Sequence, residues 1–102
     1  MKYYLYILKT LNNTLYCGIA KDVLARFEEH KKGTGAKYTR SNKPDKLVYV
    51  DIFDDKSSAA KEEYRIKKTL NKLQKEKLIE ENKTKTETIL KNLREEMTTF
   101  RI

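Results

Sequence analysis

The stretch that decides the fold is YYLYILKTLNNTLYCGI, Tyr3 to Ile19. Two runs rich in Tyr, Leu and Ile, residues 2–8 and 15–19, flank a TLNNT segment whose asparagines tolerate the turn conformations a hairpin needs. The pattern predicts a β-hairpin. Successive strand residues point to opposite faces, so Leu5, Ile7, Leu15, Cys17 and Ile19 fall on an odd-numbered face and Tyr4, Tyr6, Tyr16 and Gly18 on an even-numbered one. With the odd face as core, the register must pair like with like, and Tyr6 and Tyr16 then project together from the opposite face.

Beyond the hairpin, Asp22 is a fitting N-cap and Gly33 a fitting stop for a helix over 23–32, with Val23, Leu24 and Phe27 as its apolar stripe. Residues 31–46 then carry Lys31, Lys32, Lys37, Arg40, Lys43 and Lys46 against only Asp45, interleaved with Gly33, Gly35 and Tyr38. This reads as a flexible basic loop suited to phosphate contact. The segment KLVYVDIF, 46–53, alternates Val48, Val50 and Ile52 with Tyr49 and Asp51 and predicts a third strand. Ser57 or Ser58 can cap a second long helix running to about Leu70. Asn71 with Gln74 predicts a helix over 72–82, and Thr84 with Glu87 another over 85–98, whose apolar face is Ile89, Leu90, Leu93 and Met97. The expected fold class is mixed α/β (α+β): a small three-stranded antiparallel sheet flanked by helices, in the order ββαβα plus C-terminal helices. The expected division is a domain over 1–82 and a helical extension over 83–102, which packs on the domain or on a protein partner.

The chain has 102 residues, and its 23 Lys and Arg against 15 Asp and Glu leave a net charge of +8. That length fits one domain with a modest core, and that charge points to a polyanionic partner. Its single cysteine, Cys17, excludes an internal disulfide and a Cys-rich zinc site. The N-terminus has neither the cleavage site of a secretory signal nor an apolar run that spans a membrane, so a cytoplasmic location and no membrane association are expected. GTGAKYT lacks the pattern of a P-loop or dinucleotide fingerprint.

Two helices carry residues that do not fit a plain amphipathic pattern. Ala59, Ile66 and Leu70 share one side of the second long helix, and Glu63 falls in the middle of that stripe. Burying an unpaired carboxylate costs several kcal/mol, so Glu63 must be protonated, paired with a cation, open to a cleft or bound to a metal. On the first helix, Arg26 and His30 lie four apart and stack on one face beside Val23 and Phe27. The ordinary readings are a hydrogen-bonded boundary histidine and a surface guanidinium packed on Phe27.

Taken together, these residues resemble the GIY-YIG nuclease family. YLY at 4–6 stands where that family has its first tripeptide and YCG at 16–18 where it has Tyr-Ile-Gly; Arg26, His30 and Glu63 follow in the family's order. The likeness covers residues 3 to about 80 and is greatest to small stand-alone bacterial members, through GTGAKYTR at 33–40, LVY at 47–49 and EYRIKK at 63–68. Tyr4 replaces the first Gly of the motif and Cys17 replaces Ile. The resemblance implies an endonuclease that hydrolyses DNA phosphodiester bonds with one divalent ion, Mg²⁺ or Mn²⁺, held by Glu63. Its substrates would be branched or nicked DNA met in repair, recombination or defence, with weak sequence specificity and with Lys31, Lys32, Lys37, Tyr38, Arg40 and Lys43 as the nucleic-acid surface. It implies that Arg26 stabilises the transition state, that Tyr6 or Tyr16 handles the attacking water, and that His30 holds or relieves a tyrosine hydroxyl. By analogy Tyr16 is the base and Tyr6 its hydrogen-bonded partner.

A free phenol, with pKa about 10, is roughly 0.1% ionised at pH 7, a handicap of about 4 kcal/mol. A tyrosine base therefore needs a cation beside it or a neighbour that takes its proton as it takes one from water. Two other functions compete. A non-catalytic nucleic-acid binding module would use Glu63 as a structural partner of Arg26, and an adaptor would work through the C-terminal helices.

Overall fold

The computed structural model describes the backbone of residues 1–101 and the side chains of residues 1–97. Strands β1 (Tyr3–Thr10), β2 (Leu15–Ala20) and β3 (Pro44–Phe53) form an antiparallel sheet of order β2-β1-β3. Helix α1 (Val23–Lys32) and the short α2 (Lys37–Ser41) separate β2 from β3; α3 (Lys56–Thr69), α4 (Lys72–Glu81) and α5 (Lys83–Arg101) follow. The mixed class and the ββαβα order are as expected, with α2 as an addition.

The hairpin pairs like with like: Leu5 opposes Ile19, Tyr6 opposes Gly18 and Ile7 opposes Cys17. Asn13 takes the left-handed conformation the turn requires, with φ 63°. Lys72 holds that turn from outside, donating to the Asn13 carbonyl at 2.6 Å.

The expectation of a core on the odd face alone is corrected, because the sheet is buried on both faces. Leu5, Ile7, Cys17 and Tyr49 pack with Ile66, and Leu70, Leu78 and Ile79 add to that cluster from α3 and α4. Tyr6, Leu8 and Val50 pack on the other side with Val23, Ile89 and Leu90, which come from α1 and α5. Each face has helices over it, so β1, the central strand, reads as a continuous apolar run rather than an alternating one. Burial of Cys17 pushes its thiol up to about 12, which makes it an unreactive core residue.

The third strand also departs from simple alternation. Register shifts between Ile7 and Leu8, where the partner of β1 steps from Tyr49 to Leu47. Val48 is the extra residue of this bulge, and the strand reverses its faces there. Val48 consequently packs with the α3 and α4 side while Val50 packs with the α1 and α5 side. Ile52 is largely exposed.

Helix ends follow side-chain chemistry. Asp22 caps α1 by accepting from Ala25 N, and Gly33 closes it at φ 80°. The cap of α3 is Asp55 rather than Ser57 or Ser58, since its carboxylate accepts from Ser58 N at 2.7 Å. The box of Asn71 and Gln74 opens α4 as expected. Thr84 lies inside α5, which begins at Lys83. The apolar face of α5 rests on the sheet through Ile89 and Leu90, and Thr86 accepts from Val50 N at 3.1 Å. Lys85 adds a 2.9 Å ion pair to Asp51. Met97, the last residue of the expected face, is largely exposed.

Candidate active site

Tyr6 lies on the central strand, yet its hydroxyl reaches over the edge strand β2, because its partner there is Gly18. A Cβ on Gly18 would come within 2.5 Å of that hydroxyl, so only glycine lets the ring lie across the strand. The hydroxyl meets His30 Nε2 at 2.7 Å, and both residues are almost wholly buried. His30 comes from the last full turn of α1, one turn beyond Arg26. Its Nδ1 lies 2.7 Å from Thr39 Oγ1 on α2.

Tyr16 completes an aromatic cluster. Its ring meets His30 edge-on with centroids 5.2 Å apart, faces Tyr6 at 6.4 Å and stacks on Tyr38 at 5.8 Å. Tyr38 is fixed in turn by its hydroxyl, which donates to Thr14 Oγ1 at 2.7 Å. The two site tyrosines thus touch through their rings, while the hydrogen bond of Tyr6 goes to His30.

The electrostatics separate the roles of these groups. Burial, reinforced by Tyr16, raises the pKa of Tyr6 well above that of a free phenol, against the hydrogen-bonding and charge of nearby Arg26. Burial and the positive charge of Arg26 lower the pKa of His30, with Glu29 opposing them. At neutral pH the site therefore rests with a protonated phenol beside a neutral imidazole. Arg26 pairs with Glu29 at 3.1 Å on the solvent side of α1.

Glu63 approaches from the other side of the sheet, on α3, and its neighbours include Cys17. The carboxylate is neither fully buried nor paired with Arg26: its side chain is 23% exposed, and Oε2 accepts from Lys67 at 3.2 Å. The carboxylate is thus partly open to solvent and paired with a cation, a lysine one turn along the same helix. Lys67 also sits 5.8 Å from the centre of the Tyr16 ring. It therefore links the carboxylate to the aromatic cluster around the edge of β2.

The nucleic-acid candidates Lys31, Lys32, Lys37, Tyr38, Arg40 and Lys43 are all exposed, and they lie at the end of α1, on α2 and just after it. The stretch expected as a flexible loop thus contains a helix, which leaves those charges on an ordered surface. Lys31 also pairs with Glu28 at 2.8 Å.

A family model described as the GIY-YIG catalytic domain matches residues 2–77. The chain belongs to the GIY-YIG family. It is 49% identical over 80 residues to a UPF0213 protein of Staphylococcus saprophyticus, covering 78% of this chain and 96% of that one. A UPF0213 protein of Staphylococcus haemolyticus is 48% identical over the same shares. Among solved structures, the solution NMR structure of a UPF0213 protein from Bacillus halodurans matches with a TM-score of 0.53 and 37% identity, covering 81% of this chain and 87% of that one.

Within the GIY-YIG frame, the two departures from the motif are harmless to the cluster. Tyr4 packs beside the α1 and α5 core, and Cys17 faces the opposite core. Family membership implies divalent-metal chemistry on a nucleic-acid substrate, and Glu63 is a residue that could hold such an ion. Among the described residues no three His, Cys, Asp or Glu converge. A hard divalent ion could take a carboxylate such as that of Glu63 together with water and phosphate oxygens. Sequence reasoning missed Lys67 and Thr39. The first had a signal, an i,i+4 spacing from Glu63 that favours an ion pair; the second had none.

Among the described residues no helix is long and apolar enough to cross a membrane.

Proposed function

We propose that the protein is a metal-dependent endonuclease that hydrolyses DNA phosphodiester bonds, selective for substrate structure and weakly for sequence. The observation that carries this reading is the buried Tyr6 to His30 hydrogen bond. It supplies what a tyrosine base needs, an acceptor already in contact with the phenolic proton. Tyr6 takes a proton from the attacking water as it gives its own to His30 Nε2, and the neutral state of His30 at rest leaves that nitrogen free to accept. This favours Tyr6 over Tyr16 as the base, with Tyr16 orienting the water from beside it. Arg26 stabilises the charge that builds on the phosphate oxygens. Glu63 would hold the ion, which would supply Lewis-acid polarisation of the phosphate and charge neutralisation at the leaving oxygen.

Lys31, Lys32, Lys37, Arg40 and Lys43 contact phosphates and Tyr38 a base or sugar, so binding weakens steeply with salt. The location is cytoplasmic, and branched or nicked duplexes are the substrates. The binding-module reading needs Glu63 to be the partner of Arg26, whereas Arg26 pairs with Glu29 and Glu63 with Lys67. The adaptor reading would work through the C-terminal helices; on α5 it loses Ile89 and Leu90, which are buried in the protein's own core.

The test is to incubate nicked, flapped and branched duplexes with Mg²⁺ and the wild-type protein beside Glu63→Gln. Cleavage by the wild type alone is the expected result. Equal cleavage by both, or by neither, would sink the assignment.

A further inference from the structure

From the geometry around His30 we infer that Thr39 is a positioning residue that locks the imidazole in its Nδ1–H tautomer and so keeps Nε2 as a bare acceptor for the Tyr6 proton. The catalytic consequence rests on the nuclease reading above; the tautomer itself is a property of the resting protein.

A neutral imidazole carries one N–H, and the hydrogen bond made by one nitrogen decides the state of the other. The decision is made at both ends of this chain of contacts. At the Thr39 end the hydroxyl has a single proton, and it donates to the Ala36 carbonyl at 3.0 Å, a group that can only accept. Thr39 Oγ1 is then left as an acceptor toward His30 Nδ1, which must carry the hydrogen. At the Tyr6 end the hydroxyl has His30 Nε2 at 2.7 Å, and Arg26, whose charge acts on the phenol, has only donors and offers its proton no acceptor. The phenolic proton therefore points at Nε2, which must be bare. The opposite tautomer would take the Thr39 proton from Ala36 and aim Nε2–H at a phenol already facing a cation.

The backbone is shaped for this contact. Thr34 N and Gly35 N both donate to the Glu29 carbonyl, folding the chain back over the end of α1. A Cβ on Gly35 would lie 2.6 Å from His30 Nδ1, so glycine is required where the loop crosses the ring. Ala36 and Thr39 follow, and the Thr39 side chain is buried against the imidazole. In the reaction, one water proton passes to Tyr6 Oη as the Tyr6 proton passes to His30 Nε2; the water oxygen bonds to phosphorus while the bond from phosphorus to the leaving oxygen breaks, and that oxygen departs with the bonding pair and takes a proton from solvent. His30 then holds a proton on each nitrogen, with Nδ1–H still donated to Thr39.

His30 is the only histidine of the chain, so a ¹⁵N-histidine-labelled sample gives one pair of ring-nitrogen resonances. At pH 8 the expected spectrum has a protonated Nδ1 and an unprotonated Nε2. Thr39→Val should mix or reverse the tautomers and slow cleavage roughly 10- to 100-fold, by analogy with the loss of a group that orients a metal-ligating histidine. Thr39→Ser should restore both. A wild-type spectrum with Nε2–H, or an unchanged tautomer in folded Thr39→Val, would overturn the inference. Should the valine variant not fold, the wild-type and serine spectra still decide. Expected spectra in a protein that cleaves nothing would reject the nuclease reading and leave the tautomer standing.

Discussion

Gly18 and Tyr6 are paired across β1 and β2 so tightly that the hydroxyl of one occupies the space a Cβ on the other would need. Gly18→Ala should drive the phenol off its bond to His30. Overpacking of this kind costs about 1–3 kcal/mol. Cleavage should fall about as far as in Tyr6→Phe, which keeps the ring and removes only the hydroxyl. Rates and urea midpoints of the two variants give the comparison. An active, stable alanine variant would show that the Tyr6 to His30 contact is dispensable.

The pH dependence of stability follows from His30. Its folded pKa is depressed below 6.5, so between the two values the unfolded state binds more protons and stability rises with pH. Above about pH 7 both states are neutral and the contribution is flat. As pH falls through 6.5 toward the folded value, stability is lost, and the loss is complete below it. The urea midpoint should therefore drop between pH 7.5 and 5.5, and His30→Gln should drop less over that interval. Parallel curves for the two proteins would exclude His30 as the source. Activity should fall over the same acid range as Nε2 becomes protonated.

Much of this architecture was legible because it is local. Alternation in residues 3–8 and 15–19 located the hairpin, and Asp22 with Gly33 marked both ends of α1. Arg26, His30 and Glu63 were visible as polar residues on or beside apolar stripes. What stayed hidden depends on contacts between distant segments. Helix α2 is five residues in a stretch rich in Gly and Lys, too short to hold by propensity, and Tyr38 and Thr39 anchor it to Thr14 and His30. The bulge at Val48 changes faces without altering the side-chain alternation that announces a strand. The tyrosine contact with His30 needed a glycine on one strand and a helix end from elsewhere, which no spacing along the chain encodes.

Under the proposed assignment of Glu63 as metal ligand, Lys67 and the ion would compete for the same carboxylate. The ion pair with Glu63 is partly solvent-exposed on both sides, so its loss in Lys67→Met should change stability by less than about 1 kcal/mol. Removing the ammonium should nevertheless lower the Mg²⁺ concentration that gives half-maximal cleavage. A titration of rate against Mg²⁺, wild type beside Lys67→Met, measures this directly. A higher requirement in the variant would mean that Lys67 chiefly orients Glu63 and that competition is the smaller effect.

Besides its apolar contacts, the last helix gives the sheet a hydrogen-bond acceptor, the Thr86 hydroxyl. β3 is an edge strand, and Val50 N, buried, has Thr86 Oγ1 as its acceptor at 3.1 Å. A buried N–H left without a partner costs about 1–3 kcal/mol. Thr86→Val preserves shape and removes only the acceptor, so its urea midpoint should fall by that amount and the Val50 amide should exchange faster. Thr86→Ser should lose little, because the hydroxyl survives. Val50 is the cross-strand partner of Tyr6, but the Tyr6 hydroxyl is directed away over β2 to His30, so the cleavage rate of folded Thr86→Val should stay within a few-fold of the wild type, about 1 kcal/mol or less. An unchanged midpoint would mean that water replaces the hydroxyl and that α5 is held by Ile89 and Leu90 alone. A large loss of cleavage without loss of stability would instead show that α5 positions Tyr6 through Val50, its partner across β1 and β3.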